Sequence, residues 1–539
     1  RSLDALNTAY DADYESWKEV EVPEPSWKDA EDEERWEDVV RVLDTRPVWL
    51  DWLDFYHTRI LEWRAGMMAK VRELDKHRGI SGTNASGGVG KADEKLAAMK
   101  TYDAFYGDQG LNMINSHVRR LVANRRYGLP LRHEDINSVT IGRPGFETRE
   151  DIVDRVNLDI FNATTLGVKH ISYVMPAVDD SAAFDLMVRN DRTRRLVKES
   201  ARTDFVPRPV GYLHSFLTDR LEGKYVYDGI SLYRWWAMHG VASALVEPGQ
   251  YIEVFSDGCD LSELQDMKFV LDDCSRVLPV AAVDRLVDYV EGGGKLVLFA
   301  GSGEKIYRRE GRWQLLNRLG YTDTGSLDER NRGSVNLIFK RENPVLRTMV
   351  SMPVHYWSEL SVPEGGRAIG RIEEKTGAVV WPHGRGEVLL LAGLPGSITE
   401  ARVQMMYTRF RESGKKEYTE VWDVWRNAER ELAGIYSELF SDLSEWAGVE
   451  PLFELHTDFR AMMRRAESTW YVYLFNQGPE RVPTLRVSLP DGRYAVEAET
   501  LESLTTVGTF SAQELRAPGV ALPAVPQERF QAVRLRRLR

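Results

Sequence analysis

The sequence predicts an α/β protein of several domains, and three patterns along the chain predict it. Residues 1 to about 204 alternate short apolar strands with amphipathic helices. From about 205 to 400, nearly continuous apolar strands alternate with helical stretches, and a helical, charged stretch runs to about 450. From 451 to 539 the residues alternate apolar and polar with period two. These shifts divide the 539 residues at 1–204, 205–450 and 451–539, about the number of domains such a length supports.

In the first stretch, Trp49 to Leu74 (WLDWLDFYHTRILEWRAGMMAKVREL) places apolar residues three and four apart and reads as one long helix. Asp103 to Asp108 (DAFYGD) and Leu129 to Glu134 (LPLRHE) read as strands. Asp151 to Leu166 reads as a helix that stops at Gly167, whose freedom at positive φ suits a C-cap. Val168 to Met175 (VKHISYVM) reads as the next strand. Such β-α-β-α order implies parallel strands joined by crossover helices. About four strand–helix units fit here, whereas a closed barrel needs eight and roughly 250 residues. The residues therefore describe either an open sheet or half of a barrel.

In the second stretch, Gly211 to Phe216, Tyr251 to Phe255, Lys268 to Leu271 and Lys295 to Ala300 are short apolar runs. Ser231 to Gly240 and Val280 to Val290 are helical between them. Strands buried on both faces read this way in doubly wound sheets. In the third stretch, Trp470 to Phe475, Thr484 to Leu489 and Tyr494 to Glu499 alternate with period two between Pro and Gly residues. That is the pattern of a small antiparallel β domain.

Composition narrows the function classes. Hydrophobic residues make up 43% and aromatics 10%, enough for a large core. The 15 Trp suit a sugar-binding protein but equally suit a core. A net charge of −12 argues against a nucleic-acid partner, since phosphate binding needs a basic surface. No apolar run reaches the length of a membrane span. Cys259 and Cys274 are the only cysteines, which rules out a disulfide framework or a Cys-rich zinc site and fits a reducing, cytoplasmic compartment. The chain starts at Arg1, so a signal peptide upstream stays open.

Among motifs, Ala85 to Ala92 (ASGGVGKA) misses the phosphate loop at both ends, with Ala85 for the first Gly and Ala92 for the Ser or Thr. It reads as a glycine-rich loop. Gly301-Ser302-Gly303 after the Lys295–Ala300 strand lacks full dinucleotide spacing and reads as a strand-to-helix turn. HExxH, GxSxG and Cys-x-x-Cys are absent. Carboxylate chemistry remains. A retaining glycosidase needs two carboxyls, and in a barrel they sit at C-terminal strand ends. Glu134 sits at such an end, although a Glu there is more often a surface residue.

The chain resembles the C-terminal three-quarters of a glycoside hydrolase family 42 β-galactosidase. Ser2-Leu3-Asp4-Ala5-Leu6-Asn7 with Ala9-Tyr10 resembles the segment after the fourth barrel strand, and Trp17 with the following Glu-Val-Glu-Val-Pro resembles the stretch beyond it. Asp51 to Phe55 resembles the opening of the next helix, and Thr83-Asn84 the close of strand five. Asp103 to Asp108 resembles strand six, and Pro130 to Glu134 strand seven, which ends in the nucleophile. Arg143-Pro144-Gly145 and Arg155 to Gly167 resemble the approach to strand eight. Val290 to Val297 (VEGGGKLV) resembles the trimerisation domain, a glutamine-amidotransferase-like fold, and Tyr473 to Asn476 the C-terminal β domain.

This resemblance implies the C-terminal half of a (β/α)₈ TIM barrel, then an amidotransferase-like doubly wound domain, then a small antiparallel β domain. It implies a homotrimeric retaining β-galactosidase-like hydrolase with a carbohydrate substrate and no cofactor or metal. Glu134 is then the nucleophile, with Asn84, Tyr106, Asp108 and His133 as contacts to sugar hydroxyls. Three features depart from the family. Strand eight, His170 to Met175, lacks the usual aromatic-rich ending, and Arg132-His133 replaces apolar residues before Glu134. The acid/base belongs to an Asn-Glu pair ending strand four, and no Asn-Glu dipeptide occurs in the sequence, which places it outside this chain. The alternative class is a non-catalytic, trimer-forming, sugar-binding or scaffold protein that keeps the fold. Neither cysteine follows the Lys295–Ala300 strand, so glutaminase chemistry is not expected.

Overall fold

In a computed structural model, the described residues are 2–10, 12–20, 47–75, 81–83, 104–108, 131–134, 149–167, 171–172, 185, 189–215, 217–218, 252–257, 261–272, 274–331, 333–396 and 418–538. Ser231 to Gly240, Ala85 to Ala92, Asn84, Cys259 and Arg143 to Gly145 lie outside them.

The first region opens with helix α1 (Leu3–Tyr10) and the long helix α2 (Pro47–Leu74), close to the helix its apolar spacing predicts. Strands β1 (Ser81–Thr83), β2 (Ala104–Asp108), β3 (Leu131–Glu134) and β4 (Ile171–Ser172) form one sheet in the order β1-β2-β3-β4. All three pairings are parallel. Helix α3 (Arg149–Leu166) lies between β3 and β4 in the chain and ends at Gly167, with φ +65°. The cap has a second reason to be glycine: a Cβ there would lie 2.4 Å from Nη2 of Arg464. Helix α4 (Asp191–Ser200) follows, with the Asn190 side chain accepting from the N–H groups of Arg192 and Thr193.

The strand at the expected first boundary, β5 (Asp204–Phe205), belongs to neither neighbouring sheet. It pairs with a strand of the C-terminal domain. The second region then starts at β6 (Val210–His214) and continues with β7 (Glu253–Ser256), β8 (Phe269–Asp272), β9 (Val277–Leu278), helix α5 (Val280–Glu291), β10 (Lys295–Phe299), β11 (Lys305–Ile306) and helix α6 (Gln314–Arg318). It adds β12 (Val335–Phe339), β13 (Ser351–His355), β14 (Arg367–Ile372), β15 (Lys375–His383), β16 (Gly386–Leu391), β17 (Leu394–Pro395) and helix α7 (Tyr418–Ala447). Ten of these strands form one sheet, ordered β17-β13-β12-β14-β15-β16-β10-β8-β6-β7.

The parallel part, β7-β6-β8-β10-β16, contains the apolar runs as adjacent parallel strands, with its order reversing between β6 and β8. Strands β6 and β8 are buried at every position, as strands covered on both faces must be. Two expectations need correction. The strands β12 to β15 and β17 extend the sheet with antiparallel pairings that the apolar runs did not announce. The glycine turn Gly301-Ser302-Gly303 leads into the strand β11, not into a helix, because Lys305 and Ile306 pair with Val277 and Leu278.

The third region is a sandwich. Strands β18 (Phe453–Glu454), β21 (Thr484–Val487) and β24 (Val520–Ala521) form one sheet. Strands β19 (Phe459–Ala466), β20 (Thr469–Asn476), β22 (Arg493–Glu499), β23 (Leu504–Ser511) and β25 (Phe530–Arg537) form the other with β5 at its edge. Helix α8 (Ala512–Arg516) carries a capping box of Ser511 and Glu514. All pairings here are antiparallel, as the period-two pattern requires. A core that includes Phe453, Val472, Leu485 and Val533 lies between the two sheets. The opposite face of the larger sheet joins a continuous core with α3, α4 and the ten-stranded sheet, through residues such as Phe161, Leu196, Tyr473 and Phe475.

Candidate active site

The site builds from the four-stranded sheet. In β2 and β3 the register pairs Tyr106 with Arg132, Gly107 with His133 and Asp108 with Glu134. In β3 and β4 it pairs His133 with Ile171 and Glu134 with Ser172. Thr83 of β1 pairs with Tyr106. Asp108, Glu134 and Ser172 therefore occupy one lateral row at the C-terminal ends of three neighbouring parallel strands. That is the edge where α/β barrels and sheets assemble their chemistry, because the loops leaving it are free to vary while the strands hold position. Of the sequence-derived candidates, Tyr106, Asp108, His133 and Glu134 fall on β2 and β3 within three residues of this edge. Asn84 directly follows β1 and lies outside the described residues.

The helices after these strands are fixed from behind. Arg464 of β19 is 4% exposed and donates to Thr165 O at 2.9 Å, Thr203 Oγ1 at 2.6 Å and Thr203 O at 2.5 Å. It thus satisfies a carbonyl in the last turn of α3, which has no acceptor role left inside its helix. Its guanidinium also lies over the Phe205 ring, 4.1 Å from the centroid. Phe161 of α3 stacks on Phe475 at 5.8 Å, and Asp154 pairs with Arg529. Glu499, fully buried, is held by Arg192 and Arg195 of α4 and by Arg534 at 2.5 Å. The C-terminal sandwich thus braces the helices that flank β4 in the chain. On the other flank, Arg308 binds Asp51 at 2.7 Å and Asp54 at 2.6 Å of α2, and Tyr307 Oη donates to Asp54 at 2.7 Å.

The second region carries its own polar centres. Ser302, at the end of β10, donates to Asp272 Oδ2 at 2.5 Å and accepts from Phe299 N at 3.1 Å. Ser302 and Asp272 are both fully buried. Cys274 is buried too, in the loop after β8. Two residues beyond Ser302, Glu304 is buried among arginines: Arg276 Nε donates at 2.8 Å, Arg330 Nη2 at 2.5 Å, and Arg312 also binds it. Burial by itself would raise the Glu304 carboxyl, but the charges of Arg276, Arg330 and Arg312 outweigh it and hold the group far below the usual carboxylate range. Arg330 lies between the rings of Trp313 and Tyr356, at 5.6 Å and 5.4 Å. This ion centre ties four chain segments together. No short-range signal announces it, because its partners lie 8 to 28 residues apart in sequence. The Arg464 contact with Thr165 spans 299 residues and is equally silent in the sequence.

No family model and no curated protein matches the sequence. Solved structures do match the fold. A β-galactosidase from Rahnella sp. R3 shares 13% identity, with a TM-score of 0.63 over 100% of this chain and 74% of that one. A family 42 β-galactosidase from G. stearothermophilus shares 14%, with a TM-score of 0.61 over 99% of this chain and 74% of that one. An α-L-fucosidase from Paenibacillus thiaminolyticus shares 13%, with a TM-score of 0.53 over 92% of this chain and 72% of that one. The matches span nearly all of this chain, and its fold is similar to that of the glycoside hydrolase family 42 β-galactosidases.

Proposed function

We propose that this chain carries the greater part of a retaining, β-galactosidase-like glycoside hydrolase with Glu134 as its nucleophile. One observation carries the reading: Glu134 ends a parallel strand at the C-terminal edge of a sheet whose strands follow in chain order, within a fold shared with β-galactosidases. In this reading the four-stranded sheet is half of a (β/α)₈ wall. The Glu134 carboxylate attacks the anomeric carbon, the bond to the leaving oxygen breaks, and a glycosyl ester forms. Water then attacks the same carbon and returns the carboxylate, with net retention. Asn84, Tyr106, Asp108 and His133 bind sugar hydroxyls. The ten-stranded region is the amidotransferase-like domain through which the chain forms a homotrimer. Its reversed parallel order supports the fold, and its buried Ser302–Asp272 pair supports a structural role.

The absence of an Asn-Glu dipeptide favours a second reading, a non-catalytic trimeric scaffold. Hydrolysis of a panel of nitrophenyl glycosides by the parent and by Glu134→Gln decides between them. The hydrolase reading expects measurable parent activity that the variant loses. Equal rates in both would sink Glu134 as nucleophile, and silence of the parent across the panel would favour the scaffold.

A further inference from the structure

We propose that Arg276, Arg312 and Arg330 form a binding site for a small oxyanion, a carboxylate or a phosphate, at the C-terminal edge of the parallel strands of the second region. The inference does not rest on the role of Glu134. The sheet sets the place: Arg276 lies in the loop after β8, and Glu304 follows β10 through the turn Gly301-Ser302-Gly303. These two strands are adjacent and parallel. Loops leaving the C-terminal ends of such strands are where α/β sheets bind ligands. Gly301, with φ +120°, brings the backbone close to the cluster: a Cβ there would lie 2.8 Å from Sγ of Cys274 and 3.7 Å from Nη2 of Arg330.

The charges of the cluster do not cancel. Arg276, Arg312 and Arg330 bring three positive charges, whereas the carboxylates bonded to them, Glu304 and Asp328, bring two negative ones. Glu304 fixes the guanidiniums and leaves donors over. The Arg330 side chain is 8% exposed, and its buried Nε–H meets no acceptor among the described residues. The same holds for the Nε–H of Arg312. A buried donor without an acceptor is costly, most of all on a charged group. A guanidinium edge satisfies that need by binding an oxyanion through its N–H groups. The Trp313 and Tyr356 rings flank Arg330, and both residues hold the left-handed backbone, with φ +61° and +54°. Such strain on non-glycine residues persists only where the surroundings enforce it, and it gathers at ligand sites. Arg312 is 32% exposed and Asp328 46%, so the cluster opens to solvent on their side. A diffusible anion can enter there, while Arg276 and Glu304 stay enclosed.

Isothermal titration of the full chain with inorganic phosphate and, separately, with acetate tests the site, in chloride buffer of matched ionic strength. The parent should bind at a single saturable site. The chain carries a net charge of −12, so general attraction of anions does not mimic it. Arg330→Gln should weaken binding about tenfold or more. Arg330→Lys keeps the charge but loses the Nε–H, and should fall between the parent and Arg330→Gln. Arg312→Gln, at the half-buried mouth, should also weaken binding, and circular dichroism checks that each variant is folded. Arg371→Gln, which removes an exposed guanidinium on β14, should bind like the parent. Binding of phosphate but not acetate assigns the site to phosphoryl compounds, and the reverse assigns it to carboxylic acids. If the parent binds neither anion, the leftover donors are met by water and the proposal is overturned. Binding that Arg312→Gln and the Arg330 variants leave unchanged also overturns it, because the anion then sits elsewhere. Should Arg330→Gln fail to fold, Arg330→Lys and Arg312→Gln decide by the same criterion.

Discussion

The four-stranded sheet and the ten-stranded sheet both contain adjacent parallel strands, yet their strands carry opposite kinds of residue. In the ten-stranded sheet the central strands read FVLD, KLVLF and GEVLLL, and almost every position is buried. In the four-stranded sheet the longer strands read AFYGD and LRHE, with ionisable residues at their ends. The first sheet gains its stability from apolar burial, at roughly 25 cal/mol for each Å² removed from water. The second places titratable residues at the C-terminal ends of its strands. Each region has a focal carboxylate, and the contrast between them is instructive. Glu304 is enclosed by three guanidiniums and is committed to structure. Glu134 ends a strand beside Asp108.

Exchanging the two carboxylates for amides tests that contrast most strongly. Glu134→Gln should abolish glycoside hydrolysis, by about 10⁴-fold or more, while leaving the melting temperature near that of the parent. Glu304→Gln should do the reverse. It removes the carboxylate that the buried Arg276 and Arg330 share with the half-buried Arg312, a loss of about 3–5 kcal/mol, read as a fall in denaturation midpoint. If Glu304→Gln melts like the parent, the ion centre is not what holds the second region together.

An intermediate effect concerns pH. Burial lowers His355 of β13 from 6.5 to about 4. The folded chain thus keeps His355 neutral where the unfolded chain protonates it, so stability is lost as the pH falls from 6.5 towards 4. The full effect is on the order of 3 kcal/mol, and urea titrations at pH 6.5 and 5 should show its onset. His355→Gln should flatten the dependence across this interval. An unchanged slope would move its origin elsewhere.

The smallest effect lies in the third region. Gln531 of β25 is 1% exposed, and neither atom of its amide has a hydrogen-bond partner among the described residues. Replacement by Met, similar in shape, removes that desolvation cost. It should raise stability by about 1 kcal/mol, seen as a higher midpoint in thermal melts. A lower midpoint would mean that the amide is satisfied by a bound water.

The fold was legible wherever local periodicity matches the buried face. Val280–Glu291 shows its helix through apolar spacing, and Lys295–Phe299 its strand through an unbroken apolar run. The antiparallel strands were harder to see. Strand β12 reads VNLIF, but its exposed apolar Ile338 blurs the alternation, and its partners β13 and β14 are only set by the closed sheet. The site was legible only as a Glu at a strand end. Its neighbours along the chain are Arg132 and His133, whereas its lateral neighbour Asp108 is 26 residues away.

By itself, then, the sequence determined the helices with clear apolar spacing, the apolar strands and their order, since period and capping act over a few residues. It also determined which strands could be buried on both faces. Tertiary structure decided what meets what. Sheet register set Asp108 against Glu134, and chain closure brought Arg276, Arg312 and Arg330 to Glu304 and Arg464 to the end of α3. Those contacts depend on how distant segments pack, and hydrogen bonds and ion pairs between them leave no periodic trace in the chain.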